Sequence, residues 1–348
     1  MKFDFCIGNP PYQESQEATS DKPVYNHFID AAYDIADKVE LITPARFLFN
    51  AGKTPKTWNQ KMLDDEHVKV AYYEQNSSKV FTNTDIKGGV VITYRDANKY
   101  YGAIKQFTNF PELNTILHKV ISETNFQTLD DYVILQNRWN LENLYSEYPN
   151  LKIPYLNKAG KKVYPIGSEG KERRLTTSIF SLKDVFTDTQ ESDCYKILGL
   201  QNNKRIYKFV KKSLIADHQN IDKWKVILPK SNGSGAIGEV LSTPLIGTPL
   251  IGFTQSFISI GEFDRESDAI ACFKYIKTKF ARTLLGVLKV TQDNNKGTWK
   301  YVPLQDFTSS SDIDWSQSIA NIDKQLYKKY NLSDEEINFI ETNVKEME

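Results

Sequence analysis

Apolar and polar positions alternate from the first residues of the chain. Phe3, Phe5 and Ile7 fall on one face of an extended segment, Cys6 adds apolar character to the other, and the strand pattern stops at Gly8-Asn9-Pro10-Pro11-Tyr12. The period then changes. Tyr25, Phe28, Ile29, Ala32, Tyr33 and Ala36 recur at helical spacing, which predicts an amphipathic helix over about 24–37. Val39 to Thr43 is a short apolar run suited to a buried strand, and Pro44 is placed to open a second helix. Val68 to Tyr73 alternates as a strand, Lys79-Val80-Phe81 leads into a polar loop, and Gly89 to Tyr94 forms a further strand. Strand, helix, strand, helix, strand predicts an α/β sheet whose working edge lies at the strand C-termini. This region ends near Ile104 to Phe110.

Leu113, Ile116, Leu117, Val120 and Ile121 predict a connecting helix, after which the texture changes. Short apolar runs are broken every ten or so residues by Asn, Gly, Pro and Lys, the pattern of a mixed or β-rich region. The stretch from Lys158 to Gly170 reads as a pair of turns. A tandem pentapeptide, Thr243 to Gly247 and Thr248 to Gly252, reads as two consecutive edge or loop segments. Helical periodicity returns over 266–289. A helix pair over about 315–345 is interrupted near Tyr330-Asn331, where Ser333 and Glu336 have capping-box spacing.

At 348 residues the chain exceeds one ordinary compact domain. The aromatic share of 12% supplies sizeable cores and excludes disordered or fibrous classes. Lys+Arg and Asp+Glu balance at 44 each, so any nucleic-acid role must rest on locally segregated charge. Cys6, Cys194 and Cys272 have no paired spacing, which argues for a reducing compartment and against disulfides or zinc. His27, His67, His118 and His218 show no metal spacing. With neither a signal-peptide pattern nor an apolar run of spanning length, the expectation is a soluble, cytoplasmic protein.

The chemistry concentrates at the opening turn. Two prolines fix φ and remove two N–H donors, and Gly8 is read as freeing the backbone for a sharp change of direction. Asn9 then offers a side-chain carbonyl and Pro10 a backbone carbonyl. Two fixed acceptors suit the two hydrogens of an exocyclic amine and orient its lone pair towards an electrophile. Tyr12 adds a flat face on which a ring can stack, worth ~1–3 kcal/mol per base. On the residues alone, the same turn also serves simply to end a strand.

Asn9-Pro10-Pro11-Tyr12 resembles the catalytic motif of S-adenosylmethionine-dependent amino-methyltransferases, in particular N6-adenine DNA methyltransferases. Val39 to Phe47 resembles the next strand-and-loop motif of bacterial restriction–modification methylases, and Val80 to Val90 resembles the one after it. Lys279 to Arg282, Thr291 to Asp293 and Trp299 to Phe307 are similar to the C-terminal part of fused type II enzymes. The resemblance implies an α/β protein: a partial Rossmann-like methyltransferase sheet, a mixed α+β, β-rich target-recognition domain, and C-terminal helices. Residues 1–110 would be the C-terminal half of the catalytic domain, 111–127 a connecting helix, 128–310 the DNA target-recognition domain and 311–348 terminal helices. It further implies a flipped adenine, held at its N6 amine by Asn9 and Pro10, flanked by Tyr12 and Phe81, and methylated from S-adenosylmethionine.

In the family the cofactor motif lies upstream of this turn, and only eight residues stand there here. A downstream cluster, Gly233, Gly235 and Gly238 after Val226-Ile-Leu228, fits the G-x-G-x-x-G string, but it would require a permuted order and its flanking prolines favour a loop. The chain is therefore expected not to methylate DNA alone, a companion chain or upstream segment carrying the cofactor-binding half. Double-stranded DNA is the implied partner. Basic clusters suit its backbone: Lys158, Lys161, Lys162, Lys171, Arg173 and Arg174, then Lys204, Arg205, Lys208, Lys211 and Lys212. Such runs also suit solvated faces. Asn137-Arg138-Trp139-Asn140 has residue types that read base edges. The alternative readings are a non-catalytic DNA-specificity subunit and a methyltransferase for protein or RNA.

Overall fold

The computed structural model describes residues 3–14, 22–82, 84, 86, 88–233, 236–289 and 292–347. These form two compact units, 1–114 and 115–348. The chain is mixed α/β with several sheets.

In the first unit β1 (Phe3–Gly8) leads through the opening turn to α1 (Tyr25–Ile35), which returns directly into β2 (Ala36–Pro44). The expected helix thus ends two residues early, because Ala36 already adopts an extended conformation and enters the sheet. Pro44 does not open a helix of ordinary length. A single 3₁₀ turn over Ala45–Phe49 follows it, and α2 (Lys56–Asp64) starts only after Pro55. β3 (Val68–Glu74) and β4 (Val90–Asp96) complete a sheet of order β1-β2-β4-β3 among the described residues. β1 and β2 are parallel, while β2–β4 and β4–β3 are antiparallel.

One face of this sheet is covered. Val39 and Leu41 of β2 and Val91 of β4 pack with Ile29, Phe47, Trp58 and Met62 from the helical layer. The residues of opposite parity do not have such cover. Phe5 pairs with Lys38 and Ile7 with Glu40, and the same row continues through Ile42, Ile92, Tyr94 and Tyr72. Ile7 is 74% exposed and Phe3 58%. A parallel pair in an α/β sheet is ordinarily buried on both faces, so this bare face and the outer edge of β1 are the unusual features of the unit.

The second unit begins within α3 (Pro111–Ile121), which stops short of the expected residue 127. The first of the two turns expected over 158–170 forms as the tip of a ribbon of β5 (Tyr155–Leu156) and β6 (Lys162–Val163). The hairpin β7 (Cys194–Gln201) and β8 (Lys204–Lys211) closes through Asn202 and Asn203, whose φ values of 50° and 60° suit a primed two-residue turn. The tandem pentapeptide forms edge strands in two different sheets. β10 (Leu245–Gly247) lies beside β9 (Trp224–Pro229), and β11 (Ile251–Phe253) runs parallel to β7. β12 (Phe257–Phe263) pairs with β9 on its other side.

Helical periodicity over 266–289 resolves into α4 (Glu266–Lys277) and α5 (Lys279–Leu285), broken at Thr278, whose hydroxyl caps α5 by accepting from Ala281 N–H at 3.1 Å. The helix pair at the end is α6 (Ile319–Lys329) and α7 (Asp334–Asn343), with the Ser333/Glu336 capping box formed. No helix among the described residues is long and apolar enough to cross a membrane.

Asp323 of α6 fastens this helical layer. Its buried carboxylate accepts from the N–H groups of Lys279 at 3.0 Å and Phe280 at 2.9 Å, and burial raises its pKa to about 6. The folded chain therefore holds this proton to higher pH than the unfolded chain. The associated stability is present in acid and is lost as pH rises through about 6. Asp323→Asn is expected to remove that dependence, about 3 kcal/mol at most, read as the difference between urea midpoints of the two proteins at pH 4 and pH 6.5.

Candidate active site

Because β1 and β2 are parallel, their C-terminal ends emerge side by side, Gly8 standing opposite Leu41. The turn after β1 and the turn after β2 therefore face one cavity, the usual place for a ligand in an open α/β sheet. Gly8 is not itself the bend. Its φ lies outside the positive region, and it remains paired within the strand. A Cβ there would stand 3.4 Å from Leu41 Cδ2, an ordinary van der Waals contact, so neither backbone conformation nor space demands glycine, and the bend falls to the proline pair.

The cavity has a volume of about 800 Å³ and is lined by the whole Asn9-to-Gln13 stretch together with Tyr25, Arg46 and Lys53. Asn9 is exposed and Pro10 half-buried. Tyr12 is fixed by its carbonyl, which accepts from Val24 N–H at 3.1 Å. Burial raises the pKa of its phenol, and its hydroxyl has no hydrogen-bond partner among the described residues. The Phe81 ring comes within 6.5 Å of the Tyr12 ring at an interplanar angle of 62°. Asn9, Pro10, Tyr12 and Phe81 are thus brought together from two distant stretches. The two rings meet edge to face, which leaves no parallel slot between them as they stand.

Phe81 is held by a local network that the sequence did not disclose. The Ser77 carbonyl accepts from Phe81 N–H at 2.9 Å. The buried Ser77 hydroxyl donates to Thr84 O at 3.1 Å and accepts from Ile86 N–H at 2.8 Å. The loop then closes on Gly89, where φ is +79° and a Cβ would lie 2.4 Å from Glu74 O. Only glycine fits that close approach of backbone to backbone. Asn83, Asp85 and Lys87 of this motif lie outside the described residues, as do residues 15–21 and Thr291.

Arg46, Lys53 and Tyr25 are lining residues that sequence reasoning passed over. Arg46 belonged to a quoted motif and Tyr25 to a helix pattern, but neither carried a signal for the cavity. The Arg46 stem threads between two glycines. A Cβ on Gly52 would stand 3.2 Å from Arg46 Cβ, and one on Gly88 2.9 Å from its Cγ. The charge of Arg46 and a hydrogen bond with Thr54 partly offset the rise that burial imposes on the Tyr25 phenol. The cavity therefore combines an amide, fixed carbonyls, aromatic rings and two cationic side chains.

The proposed DNA contacts separate into two groups. Arg174 is engaged by Glu172, whose carboxyl it pulls down to about 2. Lys208 pairs with Asp188 at 2.6 Å and Lys211 with Glu147. Arg205 donates to Thr243 O at 2.7 Å and Ser242 O at 3.2 Å. Lys161, Lys162, Arg173, Lys204 and Arg138 are exposed. The base-reading expectation for Asn137 and Asn140 is overturned. Asn137 is buried with its Oδ1 accepting from Phe253 N–H at 2.8 Å, Trp139 is core, and Asn140 accepts from Asn143 N–H to cap a short helix.

The glycine cluster does not fit a cofactor. A Cβ on Gly238 would stand 2.5 Å from Val344 Cα, while its carbonyl accepts from the Arg282 guanidinium at 3.1 Å. Gly235 lies outside the described residues. Among the described residues no helix directly follows Gly238, and the Gly238 backbone is committed to packing at the end of α7. The motif residues Arg282 and Trp299 are likewise buried in the framework of the second unit.

Residues 1–81 match the family model described as Eco57I restriction-modification methylase. Over that segment the resemblance read from the sequence is borne out. An "uncharacterized adenine-specific methylase" of Mycoplasma pneumoniae is 33% identical over 95 residues, which cover 26% of this chain and 22% of that protein. Among solved structures, the chain is similar to the type IIG restriction endonuclease BpuSI, at 8% identity and a TM-score of 0.33 over 94% of this chain and 50% of that one. The type IIL restriction-modification enzyme MmeI, solved in complex with DNA, gives 8% identity and a TM-score of 0.35 over 97% and 56%. The chain thus spans about a fifth of the curated relative and about half of each solved structure.

Proposed function

We propose that this chain supplies the target-base clamp and DNA-recognition part of an adenine-N6 DNA methyltransferase of restriction–modification type, and that the S-adenosylmethionine half comes from a companion chain or another segment. The observation that carries this reading is the cavity at the ends of β1 and β2, where Asn9, Pro10 and Tyr12 line one wall and Phe81 reaches Tyr12 from a later loop. An adenine extruded from a duplex brings a ring and an amine to such a wall. The amide oxygen of Asn9 and the Pro10 carbonyl would accept the two amine hydrogens and fix the direction of the nitrogen lone pair. Tyr12 would stack on the ring, and Phe81 would rotate from its edge contact to close over the base.

S-adenosylmethionine would contribute an electrophilic methyl group. The bare face and free edge of β1 support the two-part reading. They are where a partial Rossmann-like sheet would be continued by further strands, burying Phe3, Phe5 and Ile7.

The test is titration calorimetry with S-adenosylmethionine followed by methyl transfer to duplex DNA. This chain alone is expected to bind no cofactor and transfer no methyl group. Addition of a methylase cofactor-binding half is expected to restore both. Micromolar cofactor binding by the chain alone overturns the two-part reading. Duplex binding without methyl transfer by the reconstituted pair favours a DNA-specificity subunit.

A further inference from the structure

The ribbon β5–β6 lacks a core face. Tyr155 pairs with Val163 and Leu156 with Lys162, so Tyr155 and Leu156 point to opposite faces. They are 56% and 71% exposed, and Ile153 beside them is 65% exposed. A two-stranded ribbon with apolar groups bare on both sides gains little from its own packing. The tip is nevertheless well defined. Asn157 Oδ1 accepts from the N–H groups of Ala159 and Lys161, both at 3.0 Å, and Asn157 O accepts from Gly160 N–H at 2.9 Å. Gly160 closes the turn with φ +69°.

The charge is one-sided. Lys152, Lys158, Lys161 and Lys162 fall between Leu151 and Glu169 with no carboxylate among them. Lys162 stands opposite Leu156 and holds its ammonium 5.7 Å from the Tyr164 ring centroid, so it lies off the Tyr155 face.

We propose that this ribbon enters the major groove of duplex DNA with its Tyr155 face towards base edges, Leu156 on the opposite face packing against the groove wall and the tip lysines meeting phosphates on either side. The inference rests on the DNA reading above and names the element that makes the contact. Charge selects a polyphosphate partner. Width selects B-form DNA, whose major groove of about 12 Å admits a two-stranded ribbon, whereas the major groove of A-form RNA is too narrow to read.

The experiment measures fluorescence anisotropy of the full chain on a 30-base-pair duplex across a salt series. The triple change Lys158→Gln, Lys161→Gln and Lys162→Gln is expected to lower the slope of log K against log salt by up to about 2.7, at about 0.9 per phosphate contact. Tyr155→Ala with Leu156→Ala is expected to weaken binding at least fivefold with circular dichroism unchanged, since both side chains are exposed. A duplex whose major groove is filled by glucosylated 5-hydroxymethylcytosine is expected to bind at least tenfold more weakly. Wild-type binding with variants and filled groove indistinguishable overturns the ribbon's role and leaves the DNA reading standing. Absence of duplex binding by the wild type overturns both. Equal or tighter lysine-dependent binding to double-stranded RNA or anionic vesicles overturns the choice of partner.

Discussion

Asn9→Ala, in the chain combined with a cofactor-binding half, is expected to cut methyl transfer to duplex DNA by about a hundredfold or more. That is the scale on which one preorganised hydrogen-bonding group acts at a reacting centre. The substitution removes one of two acceptors for the amine and leaves the prolines, and hence the backbone of the turn, unchanged. Asn9 is exposed, so urea stability is expected to stay within about 0.5 kcal/mol of wild type. Asn9→Asp keeps an oxygen at the same place and is expected to retain more transfer than Asn9→Ala. Initial rates at saturating DNA, with duplex affinity measured in parallel, separate the effect on chemistry from one on binding. Transfer by Asn9→Ala at the wild-type rate would remove Asn9 from the reaction and with it the clamp reading.

Ile7→Asp is expected to abolish association with the cofactor-binding half while leaving the isolated chain folded. Ile7 lies on an edge strand, on the sheet face that the helical layer does not cover, and is largely exposed. A carboxylate there stays hydrated in the isolated chain. On docking it would be buried without a partner, a cost of several kcal/mol that translates into at least a hundredfold weaker complex. Analytical ultracentrifugation of the two halves reads the association, and thermal denaturation of the chain alone reads its fold. Unchanged association would show that β1 is not the docking edge. Unfolding of the isolated variant would show that the face is covered within the chain itself.

The element types of the first unit were legible because each has its own period. Phe3, Phe5 and Ile7 at period two, and Tyr25, Ile29 and Ala32 at helical spacing, announce a strand and a helix before any packing is considered. Boundaries were less legible. Ala36 fits both the end of α1 and the start of β2, and pairing with Phe3 of β1 decides for the strand. Pro44 reads as a helix start on local preference, but the chain there spends one 3₁₀ turn bringing Arg46 between Gly52 and Gly88. In the second unit, residue type misled at Asn137 and Asn140. The amides that suit a base edge equally suit a backbone N–H, and burial assigned Asn137, and helix capping Asn140, to the latter.

By itself the sequence determined the chemistry of the opening turn. Proline geometry and the acceptor character of Asn9 are local properties and hold wherever the chain folds. It also determined the charge on the ribbon around Lys158 to Lys162, since counting residues between Leu151 and Glu169 suffices. Tertiary structure alone decided which groups line the turn's cavity and which ring reaches Tyr12, because Arg46, Lys53 and Phe81 come from later stretches that local sequence does not tie to the turn. It also decided which basic residues are engaged by acidic groups or carbonyls, and that β1 lies at a bare edge. The pattern Phe3, Phe5, Ile7 requires an apolar neighbour, and only the packed sheet shows that the described chain does not supply one.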